Sequence, residues 1–390
     1  MSRALRTIVL TAIAALCLHA TVVAVKSLTH PARTVLAVFR IGELHDWAKG
    51  QPKFVLDEHY PLEKGGYGTD GQQYLFIAHD PLLRRRDVLP WIDAPRYRYG
   101  RILLPALAAT TCGGSSPCIP RAILGWNLLF AAGIGALAAA LVGARGASPW
   151  FGLLLAASGG LVCTTDIAGI ELSAQFCGLL GVFLLSRERR WPAAIAFALA
   201  ALGRETYVLV PAGFFLAEAI EHRRHLFRAD TLRLLLPLSL APAPAFAWAL
   251  FLRRALPPDQ HGGGLQNLAP PLFGPGRLVA EWLHQPKIDG HVVLGVLVGG
   301  PLLLMIGRHL ASVRRDRSGL ALAAALFGCL ALVSSEMVWL RPGGFARGLD
   351  FLYPGIVLSA LARGDRLTAL LAVSTLVQVV SIVGDHFGAG

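Results

Sequence analysis

IPRAILGWNLLFAAGIGALAAALV, Ile119–Val142, is an apolar run long enough for the ~20 residues that a straight helix needs to cross a hydrocarbon layer. Its direction sets the rest. If it runs inward, Arg145, the Arg187–Arg190 cluster, His222-Arg223-Arg224 with Arg228, Arg308 with Arg314-Arg315-Arg317, and Arg363 with Arg366 all fall inside. That is the expected bias of basic loops toward the cytoplasm. The loops left outside are the polar segment before the run, Thr164–Glu171, Gly203–Glu205, Pro257–Gly290 and Glu336–Asp350.

Composition agrees. Of 390 residues, 54% are hydrophobic and 15% charged, and the mean hydropathy is +0.55. A soluble globular chain carries nearer a quarter charged residues. The expected fold is an all-α polytopic membrane protein, one integral domain over 1–390. Its apolar runs are Ile8–Val25, Ile119–Val142, Trp150–Thr164, Ile167–Ser186, Trp191–Leu202, Thr206–Ile220, Leu232–Leu252, Val292–Ile306, Leu320–Val338, Phe351–Leu361 and Leu367–Val383. Together they give roughly 11 crossings. Arg101–Thr110 is too short for a span and reads as a half-helix. Arg3 and Arg6 before Ile8–Val25 make the first run an uncleaved signal anchor with its N-terminus inside. The formal charge of +12 lies in short clusters between apolar runs, with no nucleic-acid motif beside it.

Residues 26–100 form a long, structured first external loop, and 253–290 a second. The first is basic, through Arg84, Arg85, Arg86, Arg96, Arg98 and Arg101, against the charge rule. Binding an anionic lipid or phosphate would give those cations a reason. Cys112 and Cys118 flank Gly-Gly-Ser-Ser-Pro; outside the cytoplasm they could pair, and two unpaired thiols are the alternative.

Within the first loop, Gly68–Pro81 (GTDGQQYLFIAHDP) has helical spacing that begins at Asp70. Gln73, Tyr74 and Ile77 share its face. Asp80-Pro81 ends the helix, because the residue before a proline is pushed out of the α region. Asp70 is then either a helix cap or a functional carboxylate beside the membrane, and the two roles are compatible. On this topology Asp70, His79, Asp80, Asp166, Glu171, Arg204, Glu205, Glu336, Arg341 and Arg347 gather at the outer ends of spans. Ionisable groups at that depth are costly and usually line a cavity. Interfacial charges and buried pairs, such as Arg204 with Asp166 or Glu171, are the plainer account.

Asp70–Pro81 resembles the YDGQFYY.IA.DP motif of bacterial multi-pass proteins of the GT-C glycosyltransferase type. Arg96–Pro105 (RYRYGRILLP) is similar to the RYQRILLP run that follows it there. Gly203–Pro211 resembles the later (K/R)ET.LL.P segment, and Gly344–Arg347 with Tyr353-Pro354 the C-terminal AR…P element. Thr69 stands where the motif usually has Tyr, and Gln73 replaces an aromatic.

The resemblance implies a GT-C-like bundle in the bacterial cytoplasmic membrane with its site facing the exterior. It implies transfer of a sugar from a polyprenyl-phosphate carrier to a cell-surface glycan or lipid acceptor. Asp70 is by position the catalytic acid of the first external loop, serving as base or acceptor-orienting group. A carboxylate against a low-dielectric wall can rise toward a useful base. Arg204, Arg347, Arg98 and Arg101 would take the leaving phosphate. Gln73, Tyr74, His79, Asp80, Asp166, Glu171 and Glu205 complete the candidate substrate contacts. No cofactor is expected. Asp70, Asp80, Asp166 and His79 could supply ligands to a divalent ion, but no HExxH or DxD spacing supports one. Two other readings stand beside this one, a transporter or flippase of a lipid-linked anion and a non-catalytic envelope scaffold.

Overall fold

The computed structural model describes residues 2–43, 50–259, 264–284, 290–339 and 351–364. The described residues are mostly helical. Helix α1 (Arg3–Thr29) starts at Ser2, whose hydroxyl accepts the Leu5 N–H. The following polar segment folds around a buried cluster that includes Phe39, Ile41, Val55, Leu75 and Phe76. It holds a two-residue parallel pair, β1 (Ile41–Gly42) with β2 (Leu62–Glu63), and three helices, α2 (Lys53–Asp57), α3 (Asp70–His79) and α4 (Pro95–Tyr99). The described part of this segment is thus structured.

Helix α5 (Leu103–Cys112) is too short to span. It stops at Gly113, whose φ of +55° suits a residue without Cβ. A disulfide joins Cys112 to Cys118 and leads into α6 (Ile119–Gly143), the helix around which the first half packs. Helices α1, α5, α7 (Phe151–Ala156) and α9 (Glu171–Leu185) lie against it, and α8 (Gly159–Asp166) crosses α1. The second half pairs α10 (Arg190–Gly203) with α9, and α11 (Leu209–Glu221) with α16 (Gly319–Leu332). Between these lie α12 (Ala229–Leu240), α13 (Ala243–Ala255), α14 (Phe273–His284) and α15 (Gly290–Val313); α17 (Glu336–Trp339) and α18 (Leu352–Ala362) follow.

Among the described residues, three stretches are long and apolar enough to cross a membrane: Arg3–Thr29, Ser116–Gly143 and Ala229–Ala255. Leu5, Leu10 and Ile13 on α1, and Leu236, Phe246 and Phe251 on α12–α13, are exposed. Apolar surface of that extent on span-length helices fits lipid, not water. This is an all-α membrane protein.

Several expected runs are interrupted. Trp150–Thr164 divides into α7 and α8 at Ser158, whose extended backbone opens the second helix. Leu232–Leu252 divides into α12 and α13, because Pro242 and Pro244 lack the N–H that would continue the ladder. Leu320–Val338 ends as a helix at Leu332, before the turn that leads to α17. The run Leu367–Val383 lies outside the described residues.

Candidate functional site

Thr69, not Asp70, occupies the cap position of α3, and its hydroxyl donates to the Phe39 carbonyl at 3.1 Å instead of closing the helix. Asp70 is the first helical residue, so its carboxylate lies at the positive end of the helix dipole. The next residue fixes where that end sits. A Cβ on Gly71 would lie 1.7 Å from the Ile167 carbonyl oxygen, on the turn between α8 and α9. Only glycine lets α3 approach this turn, whose two ends carry Asp166 and Glu171. Gly71→Ala is therefore expected to lower stability by at least ~1–3 kcal/mol through forced backbone displacement. A thermal-unfolding comparison of the purified proteins checks this, and an unchanged midpoint would contradict the close approach.

Arg98 meets Asp70. Its Nη1 donates to Asp70 Oδ1 at 2.9 Å, while Nε and Nη2 grip both oxygens of Asp93 at 2.8 and 2.7 Å. Burial disfavours charge on Arg98, but the Asp70 and Asp93 carboxylates outweigh it and raise its pKa well above the ordinary value. Sequence alone suggests a low-dielectric wall that would raise the carboxylate; the structure sets a guanidinium against it instead.

One turn later, Arg101 is buried and forks onto Glu205, with Nε to Oε2 at 2.8 Å and Nη2 to Oε1 at 2.6 Å. Its Nη1 donates to the Tyr74 hydroxyl at 3.2 Å, its Nη2 to the Tyr97 hydroxyl, and its guanidinium lies 4.1 Å from the Tyr97 ring centre. Desolvation alone would raise the Glu205 pKa, yet Arg101 holds it down at about 2. Glu205 keeps half its side chain open, and with Tyr97, Arg101, Arg204, Thr206, Asn267 and Ser334 it lines a recess of about 90 Å³. Asp70, Arg98, Tyr97, Arg101 and Glu205 thus form one polar chain ending at this recess, whose lining Leu268, Leu330 and Val338 complete.

No family model, no curated protein and no solved structure matches the chain.

The remaining candidates divide. Arg204 Nη1 donates to Glu171 Oε1 at 2.8 Å, both groups being buried, and Glu171 also accepts the Thr164 hydroxyl and the Ile170 N–H. Asp166 pairs with Lys26 of α1 at 3.2 Å, a partner that the sequence does not announce. Gln73 is buried, and its Oε1 accepts the Asp93 N–H, so it supports the acid that orients Arg98. His79 and Asp80 end α3, roughly 14 Å along the helix from Asp70 at 1.5 Å per residue, and serve the local fold. Asp80 accepts the N–H groups of Arg84, Arg85 and Arg86 at 2.8, 3.0 and 2.8 Å. His79 stacks on Phe54 and bridges the Leu75 carbonyl to the Ser116 hydroxyl. One ion cannot be shared by Asp70 and this pair. Among the described residues, Glu218, Glu221 and His222 are close enough to share one, but Arg190 already pairs with Glu218 at 2.8 Å. Arg347 and Arg341 lie outside the described residues.

Burial lowers the His79 pKa to about 4, so the ring is neutral at neutral pH. The unfolded chain takes up this proton at higher pH than the folded one, so stability falls as pH drops from about 6.5 toward 4. Thermal unfolding is expected to show that loss in the wild type and a smaller one in His79→Gln. Equal acid sensitivity in both would contradict it.

Sequence alone gives Asp93 no part, and Tyr97 enters there only as a motif residue. An acid just ahead of a Pro-initiated turn that carries Arg98 was the available signal. Arg96 acts elsewhere. Its guanidinium donates to the Leu256 and Arg253 carbonyls at the end of α13, while Asp259 accepts the Arg96 and Tyr97 N–H groups. That exchange pins the segment bearing Arg98 and Arg101.

Proposed function

We propose that the protein is a membrane glycosyltransferase of GT-C type, moving a sugar from a polyprenyl-phosphate carrier to a surface glycan or lipid acceptor. The observation that carries this reading is the Asp70–Arg98 contact, set at the N-terminus of α3 and continuous with Arg101 and Glu205 at a small recess of mixed polar and apolar lining. Asp70 accepts or orients the proton of the acceptor hydroxyl as its oxygen attacks the anomeric carbon. The bond from that carbon to the phosphate oxygen breaks, and polyprenyl phosphate leaves. With Asp70 the only carboxylate assigned to the reacting centre, this is a single displacement with inversion. Arg101 and Arg204 at the recess supply positive charge for the leaving phosphate, which they would reach by exchanging their present carboxylate partners, Glu205 and Glu171.

The bundle has about 11 crossings in the bacterial cytoplasmic membrane, with the N-terminus inside and Asp70 outside. The Cys112–Cys118 disulfide supports an oxidising side for the adjacent segment. Deletion of the gene in its host is expected to remove one surface glycan species, restored by the wild-type chain. A deletion strain with unchanged surface and lipid-linked glycans would overturn the reading.

A further inference from the structure

Arg84, Arg85 and Arg86 stand outside the network described above. They are exposed and follow one another on a turn directly after α3. The turn is built, not loose. Beneath it the Asp80 carboxylate, 4% exposed, collects all three backbone N–H groups, and Leu83 and Val88 are buried on either side. Leu83 and Arg86 take left-handed backbone angles, φ +56° and +61°, which this anchoring sustains. The three guanidinium groups are left on the outside with Leu82, half exposed, beside them.

The height of this turn relative to the bilayer can be read from its neighbour. His79, adjacent to Asp80, contacts the Ser116 hydroxyl at 2.8 Å, and Ser116 is the first residue of the span-length stretch Ser116–Gly143. Arg121, also exposed, lies on the first turn of that helix. The arginine turn therefore sits where a membrane-crossing helix leaves the hydrocarbon, at the level of the headgroups. Asp80 beneath it and Asp87 beside it are the acids near it in sequence, and against three arginines they leave the turn net positive.

We propose that Arg84–Arg86 bind the phosphate of anionic phospholipid headgroups in the surrounding bilayer, with Leu82 set into the acyl boundary. Each arginine near an anionic surface strengthens attraction several-fold, and three together amount to roughly a hundredfold. This accounts for a basic cluster on the side where basic loops are disfavoured, and it does not depend on the transferase reading.

The test uses the full-length protein in a neutral detergent, titrated with phosphatidylglycerol or phosphatidylcholine and read by native mass spectrometry. The wild type is expected to hold phosphatidylglycerol at least tenfold more tightly than the triple variant Arg84→Ser/Arg85→Ser/Arg86→Ser, with phosphatidylcholine binding equal in the two. The triple Arg→Lys variant should retain most of the preference, and 0.5 M salt should remove it from the wild type without any substitution. Equal phosphatidylglycerol binding by wild type and Ser variant, or a preference untouched by salt, would overturn the proposal. Displacement of the lipid by millimolar inorganic phosphate would assign the turn to free phosphate instead and overturn the lipid source.

Discussion

Asp70→Asn is expected to lower sugar transfer by about 10²–10⁴-fold, the usual contribution of a positioned proton acceptor. The amide keeps the shape and can still face Arg98, so the protein should reach the membrane at wild-type levels. It cannot take the acceptor proton. Arg98 then loses one of its two carboxylates but keeps the bidentate grip of Asp93, which confines the damage to the chemistry. Glycan recovery in a deletion strain and initial rates in isolated membranes check this together. Near-normal activity in the Asn variant would remove Asp70 from the mechanism and favour a scaffold role.

Arg204→Met is expected to destabilise the fold by about 3–5 kcal/mol, since it strips the guanidinium from a buried carboxylate. Glu171 is 3% exposed and Arg204 8%, so little water reaches either. The pair also joins the turn after α8 to the end of α10, so its loss loosens the wall of the recess. The double variant Glu171→Leu/Arg204→Met should recover most of the stability, because two apolar side chains leave no unpaired charge. Unfolding midpoints of the two single variants and the double variant give the comparison. A single variant as stable as the wild type would contradict the pairing. If the double variant is stable yet inactive, the pair also serves the substrate.

Periodicity and composition made the helical membrane class legible, and α1 and α6 lie close to where their apolar runs predict. They did not reveal the breaks at Ser158 and Pro242, because hydropathy averages over residues whose backbone geometry decides continuity. At the site, the stretches Asp70–Pro81 and Arg96–Pro105 hold residues that the fold brings together, Asp70 with Arg98 and Tyr74 with Arg101. Sequence resemblance could not tell Asp70 and Arg98, which meet, from His79 and Asp80, which lie at the other end of the same short helix. Adjacency in sequence is not adjacency in space here. The Lys26–Asp166 pair is set by tertiary packing, of which a single sequence carries no direct sign. Gly71 belongs to the sequence motif, yet its meaning, contact with the Ile167 carbonyl, needed the structure.

The measurement that bears most directly on the central claim is transfer by the purified protein in proteoliposomes loaded with a polyprenyl-phosphate sugar labelled in the sugar. The account predicts that label passes to an added glycan or lipid acceptor, with an equal amount of free polyprenyl phosphate, and that Asp70→Asn suppresses both. Movement of the intact labelled donor across the bilayer, with no polyprenyl phosphate released, would contradict it and establish a transporter.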